Sequence, residues 1–149
     1  MKTSDKLKLF TKGQEGLRIK AYIDSVGKIT IGYGHTLNVK PGQIITEQQA
    51  NDFFDSDINE CEIDLNGFIK LHNVVLTQGQ FDACIDFIFN LGYSRFRGST
   101  LAKYIAANPK DANIPAQFKR WVYGNINGVE TVLSDLVKRC DGRVHFWLS

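Results

Sequence analysis

Two β-prone runs near the N-terminus set the frame for this chain. Arg18 to Ile23 and Lys28 to Tyr33 are rich in β-branched and aromatic residues, and Ser25-Val26-Gly27 lies between them. That pattern reads as a hairpin. Gly32 and Gly34 flank Tyr33, which points to close backbone approach or positive φ rather than plain strand. Almost everything after residue 45 has helical spacing. The fold class expected is therefore α+β, with a small β-hairpin lobe and a larger, all-helical C-terminal lobe.

Helix signals are local and specific. Ser4 can cap a short first helix carrying Leu7 and Phe10, with Glu15 just beyond it. Pro41-Gly42 marks a turn, and Thr46-Glu47-Gln48-Gln49 is a capping box. Apolar residues follow at Ala50, Phe53, Phe54, Ile58, Cys61 and Leu65, three or four apart. With Gly67 as its stop, this helix would cover residues 47–66 and run about 30 Å at 1.5 Å per residue. Such a helix can join two lobes around a cleft. The lobes expected are residues 13–45 and 67–149, the latter taking in the N-terminal helix. A second capping box, Thr77-Gln78-Gly79-Gln80, opens Phe81 to Leu91, apolar almost all round and so central. Short helices are expected over 100–107, 115–123, 129–139 and 142–148.

Composition removes several classes. A chain of 149 residues with 43% hydrophobic and 23% charged residues is one globular domain with a sizeable core. Net charge is +2, from 18 basic and 16 acidic residues. No Lys/Arg block forms, so nucleic acid is not the expected partner. The three cysteines, Cys61, Cys84 and Cys140, have no metal-ligand spacing and read as free thiols. Residues Met1 to Leu7 lack the apolar core of a signal peptide, and no segment approaches the ~20 apolar residues of a membrane helix.

The run from Glu15 to Thr36 concentrates two carboxyls, a strand threonine, a histidine and four glycines. A packing core has no need of that density; an active site does. Glycoside cleavage requires a proton donor and a second carboxyl that stays ionised. Glu15 suits the first role and Asp24, on the hairpin turn, the second. Taken singly, Glu15 is also a solvated helix-end carboxylate, and Asp24 a turn residue bonding its own backbone. Thr30 is either an ordinary strand residue or a hydroxyl that positions a water opposite Asp24. His35 reads as structural, with Asp57 its candidate partner, since no G-x-S-x-G nucleophile motif is present.

Taken together, these residues resemble one family. The chain reads Glu15-Gly16, then Tyr22-x-Asp24-x-x-Gly27-x-x-Thr30-Ile31-Gly32-x-Gly34-His35. This is similar to the signature of phage-type lysozymes, the endolysins of glycoside hydrolase family 24. The likeness continues through Pro41-Gly42, Ile45-Thr46, Gln49-Ala50, Asp57, Phe89 to Gly92, Phe96, Ser99 to Leu101, Trp121 and Leu136 to Arg139. It implies a lysozyme-like fold and a muramidase. The enzyme would hydrolyse the β-1,4 bond between N-acetylmuramic acid and N-acetylglucosamine of bacterial peptidoglycan, leading to host lysis.

Residue by residue, the resemblance places Glu15 on the proton donor, Asp24 on the second carboxylate and Thr30 on the catalytic threonine. It places His35 on a structural histidine. Thr36, Phe89 and Ser99 fall on or near glycan contacts, and Asn90 near the attached peptide. It implies no metal or organic cofactor, a monomer, and no stable membrane association. The enzyme would wait in the host cytoplasm until a holin lesion lets it reach the wall. Water attack with inversion is expected, with Asp24 as covalent nucleophile and retention as the competing route. A non-catalytic glycan-binding module and a lytic transglycosylase are the alternatives; an intact Glu15, Asp24 and Thr30 set argues against both. The chain departs from the family near its end, at Asp135, Cys140 and Arg143 and over residues 125–128. These departures predict that ion pairing among the last helices is lost or rearranged.

Overall fold

The hairpin forms where the β-prone runs fall. In the computed structural model, which describes residues 1–149, β1 (Arg18–Ile23) pairs antiparallel with β2 (Ile29–Gly32). Tyr22 stands opposite Thr30 and Ile23 opposite Ile29. Residues 43–45 add backbone bonds on the other edge of β1, Ala21 N–H to Gln43 and Ile45 N–H to Ile19. Ahead of the hairpin, α1 (Asp5–Glu15) carries Glu15 as its last residue rather than leaving it beyond the helix. The helix runs on because nothing in Lys12-Gly13-Gln14 breaks it; Gly16, at φ 71°, does.

Both capping boxes form. Gln49 N–H donates to Thr46 Oγ1 at 3.1 Å while the Gln49 side-chain oxygen accepts from Thr46 N–H at 2.9 Å. Helix α2 (Glu47–His72) starts there and is longer than the sequence suggested. Gly67 does not stop it, because Phe68 keeps the apolar spacing and is buried. A single glycine costs a helix only ~1 kcal/mol. The stop is Asn73, at φ 51°. Thr77 and Gln80 make the same reciprocal bonds ahead of α3 (Gln78–Leu91), which is buried from Gly79 to Ile88.

The chain divides into two compact units, Asp5–Glu60 and Met1–Ser4 with Cys61–Ser149. In the first, Ile31, Ile45 and Ala50 form a core against Ala21, Tyr33, Val39 and Phe53. In the second, α3 packs on α4 (Tyr93–Gly98) and α7 (Ser134–Leu148), and α5 (Thr100–Ala107) and α6 (Ile114–Lys119) link α4 to α7. Phe87 meets Phe96, Phe118 and Trp121 edge-on. Helices α3 and α7 approach closely at Gly79, where a β-carbon would collide with the Phe146 carbonyl oxygen.

The C-terminal unit is not all-helical. Residues expected to begin a helix at 129 instead form a hairpin, β3 (Tyr123–Ile126) and β4 (Val129–Val132), with Tyr123 opposite Val132. Its turn is Asn127-Gly128, both at positive φ. Asn-Gly between β-branched residues is the two-residue turn that matches strand twist. The expected helices over 129–139 and 142–148 are therefore one helix, α7, starting after the hairpin. The expected 115–123 helix ends early, at Lys119.

Of the divergent C-terminal residues, Cys140 and Arg143 are buried, whereas Asp135 and residues 125–128 are exposed. Arg143 and Arg139 both reach Asp86 on α3. Cys140 is buried, and its thiol donates to the Trp121 carbonyl. Together Arg139, Arg143 and Asp86 form a buried cluster of two arginines and one aspartate. All three cysteines are free and buried.

Candidate active site

Asp24 opens the turn of the first hairpin. Its Oδ1 accepts from the N–H groups of Val26 at 3.0 Å and Lys28 at 2.8 Å. The turn is closed by Asp24 N–H to the Lys28 carbonyl and Gly27 N–H to the Asp24 carbonyl. The side chain does bond its own turn, and that bonding also fixes the carboxylate's orientation. Only one oxygen is used, so Oδ2 keeps its capacity to accept.

Thr30 follows on β2, buried at 3% exposure. Its hydroxyl donates to the Lys28 carbonyl at 3.1 Å. The one hydroxyl proton is thereby spent, and Oγ1 can act towards a ligand as an acceptor.

Glu15, at the end of α1, is half-buried and lies against the turn after β2. A β-carbon at Gly34 would come within 3.1 Å of Glu15 Oε2. Ile31 and His35 close that turn by exchanging two backbone bonds of 2.9 Å. His35 is buried and its Nδ1 stands 2.8 and 3.0 Å from the two carboxylate oxygens of Asp57. Its ring stacks on Phe53 at 4.3 Å between centroids. The structure thus pairs His35 with Asp57. Burial raises the Asp57 carboxyl above its ordinary range, partly offset by the hydrogen bond and charge of His35.

Thr36 is exposed, directly after His35. In the C-terminal unit, Phe89 and Asn90 are half-buried on the last turn of α3. The Asn90 side-chain oxygen accepts from Arg143 at 2.8 Å, which leaves its amide hydrogens to donate elsewhere. Ser99 is buried; its hydroxyl caps α5 by accepting from Ala102 N–H and donates to the Phe96 carbonyl. Ser99 also borders a hollow of about 490 Å³ with Arg95, Gln117, Arg120, Trp121 and Glu130. The charged members of that hollow were not legible as a site. Asn127-Gly128 was the signal that would have placed Glu130 on a strand. No group of three or more His, Cys, Asp or Glu side chains is placed to hold a metal ion.

Residues 12–142 match the family described as "Phage lysozyme". The chain belongs to the phage lysozyme family. It is accordingly a lysozyme-type glycosidase. It is 40% identical to the endolysin of Acyrthosiphon pisum secondary endosymbiont phage 1, over 93% of this chain and 92% of that one. It is 39% identical to the endolysin of Bacillus phage PZA over 74% of its own length, and spans 42% of that longer relative. In structure it resembles the muramidase domain of SpmX from Asticaccaulis excentricus, with a TM-score of 0.89, 28% identity, and 99% and 98% of the two chains covered. The family match spans Glu15, Asp24, Thr30, His35, Thr36, Asp57, Phe89, Asn90 and Ser99.

Proposed function

We propose that this phage lysozyme is an endolysin that hydrolyses the muramic acid to glucosamine β-1,4 bond of peptidoglycan with inversion. Glu15 protonates the leaving oxygen. Asp24 Oδ2 and Thr30 Oγ1 accept the hydrogens of one water and turn its lone pair towards the anomeric carbon, so water attacks the oxocarbenium-like centre directly. The observation that carries this reading is Asp24 itself. Two backbone N–H groups hold one carboxylate oxygen and leave the other for a water. A carboxylate fixed in that way is suited to orient water, and less to the movement a covalent nucleophile makes.

Substrate contacts come from Thr36, Phe89, Asn90 and the hollow bordered by Ser99. Arg95, Arg120 and Glu130 give that hollow both signs of charge, which suits a peptide stem carrying carboxylates and an amine. No helix is long and apolar enough to cross a membrane. Access to the wall is through a holin lesion, and the enzyme acts as a monomer.

The test is turbidity loss of permeabilised Gram-negative cells, wild type beside Glu15→Gln, with product masses and the anomeric form read from purified peptidoglycan. Clearing by wild type alone, with hydrated muramic ends released first as the α-anomer, is expected. β-Anomer first would mean retention, and anhydro ends a transglycosylase. Lysis from inside cells that make no holin would remove the access step.

A further inference from the structure

The carboxyl of Glu15 occupies space that any side chain at residue 34 would need. A β-carbon there would lie 3.1 Å from Oε2, 3.6 Å from the carboxyl carbon and 4.0 Å from Cγ of Glu15. Gly34 has φ 79°, so the turn also presents its backbone in a conformation that L side chains rarely adopt. The residues around it are held on both sides. Ile31 and His35 exchange backbone bonds across the turn, and the His35 ring is fixed by Asp57 and by stacking on Phe53.

We infer that Gly34 is a positioning residue for the proton donor: its bare α-carbon sets where the Glu15 carboxyl rests, and the His35–Asp57–Phe53 clamp holds Gly34 in that place. The inference rests on Glu15 being the donor. A methyl group at 3.1 Å is too close for comfortable contact with a carboxylate oxygen. The carboxyl would have to move by a few tenths of an ångström, and proton transfer to a bound leaving oxygen is sensitive to displacements on that scale. Substrate affinity, spread over contacts elsewhere, would change little.

Strain at positive φ has to be separated from collision with Glu15, and Gly42 allows it. Gly42 has nearly the same φ, 76°, with nothing within 4 Å of a built β-carbon. Gly34→Ala and Gly42→Ala therefore share the backbone penalty, and only the first meets the carboxyl. Steady-state kinetics on soluble peptidoglycan fragments, with melting curves for each variant, make the comparison. Gly34→Ala is expected to lose at least tenfold in kcat with KM within twofold. Gly42→Ala is expected to keep kcat within twofold at a similar loss of Tm. A folded Gly34→Ala with kcat within twofold of wild type overturns the inference, as does an equal kcat loss in Gly42→Ala. Should Gly34→Ala not fold, Asp57→Asn takes its place; it keeps a hydrogen bond to His35 but drops the charge. At least a threefold fall in kcat at constant KM supports the clamp, and unchanged kcat refutes it. Glu15→Gln run alongside separates the two ideas: if it stays active, the donor assignment fails and the positioning role falls with it, whatever Gly34→Ala does.

Discussion

Arg143 and Asp86 form a bond with no surface exposed on either side chain, Nε to Oδ2 at 2.7 Å. Arg139 adds two more bonds to the same carboxylate, and Arg143 continues to the Asn90 side chain. One anion thus faces two guanidiniums inside the C-terminal unit. Removing the anion takes this counter-charge away from two buried cations at once, whereas removing Arg143 leaves Asp86 its partner Arg139. Asp86→Ala should cost about 3–5 kcal/mol and lower Tm by about 6–20 °C. Arg143→Met should cost less, about 1.5–3 kcal/mol. Urea unfolding of the two variants decides it; a larger loss in Arg143→Met would contradict the picture of a shared anion.

Acid should destabilise the protein through Asp86 and Glu62. Burial alone would raise the Asp86 carboxyl, but the Arg139 bond and the charges of both arginines outweigh it and hold it below its ordinary range. Burial acts on Glu62 in the same sense and is outweighed by Lys2 and by the Thr3 N–H, each at 2.7 Å. For both groups the unfolded chain binds the proton more readily than the native one. Their contribution is present above the ordinary carboxylate range and is lost as pH falls through and below about 4. Asp57 has the opposite sign: its raised carboxyl contributes fully below that range and loses the contribution as pH rises through its folded value. Urea midpoints taken from about pH 6 down to pH 2.5 should fall steeply below pH 4, and less steeply in Glu62→Gln. Asp57→Asn should compare more favourably with wild type at pH 6 than at pH 3.

Asp24→Asn isolates charge from geometry. Asparagine keeps an oxygen that accepts from Val26 and Lys28, so the hairpin should survive with Tm within about 3 °C, the range of neutral surface changes. Activity should fall by about 10²–10⁴-fold, the usual weight of a positioned acid–base group. Retention of wild-type clearing by a folded Asp24→Asn would sink its role in holding water.

None of the three thiols should react in the native state. Cys84 is fully buried, and burial pushes its thiol far up. Burial also raises Cys140, offset only in part by Arg143. A thiol reagent at pH 8 should label none in minutes, and three once the protein is unfolded. Fast labelling of one cysteine in folded protein would show that its surroundings open.

The turn at Asp24 was legible because its chemistry is local. Asp24 bonds within four residues of itself, the hairpin follows from β-branched runs either side of a turn, and both capping boxes close within three residues. Sequence alone therefore determined the α+β class, the first hairpin, the starts of α2 and α3, and the residues proposed for catalysis. The second hairpin also lay in local code, at Asn127-Gly128, but the apolar run Val129 to Val137 resembles a helix by spacing alone, since short apolar runs do not fix their own period.

What only the tertiary structure decided involves partners far apart in the chain. Asp86 and Arg143 are 57 residues apart, and nothing near either residue announces the other. Read in sequence, Arg143 was a broken family position; in the fold it is a buried cation whose charge is matched by Asp86. Gly34 and Glu15 are likewise separated by a whole hairpin. The sequence marks one as a flexible backbone position and the other as a carboxyl, and only folding puts the Glu15 carboxyl 3.1 Å from where a β-carbon at residue 34 would stand. Local chemistry sets which turns and helix ends can form, whereas long-range pairing depends on where packed elements place their side chains, and one sequence read along its length does not contain that distance.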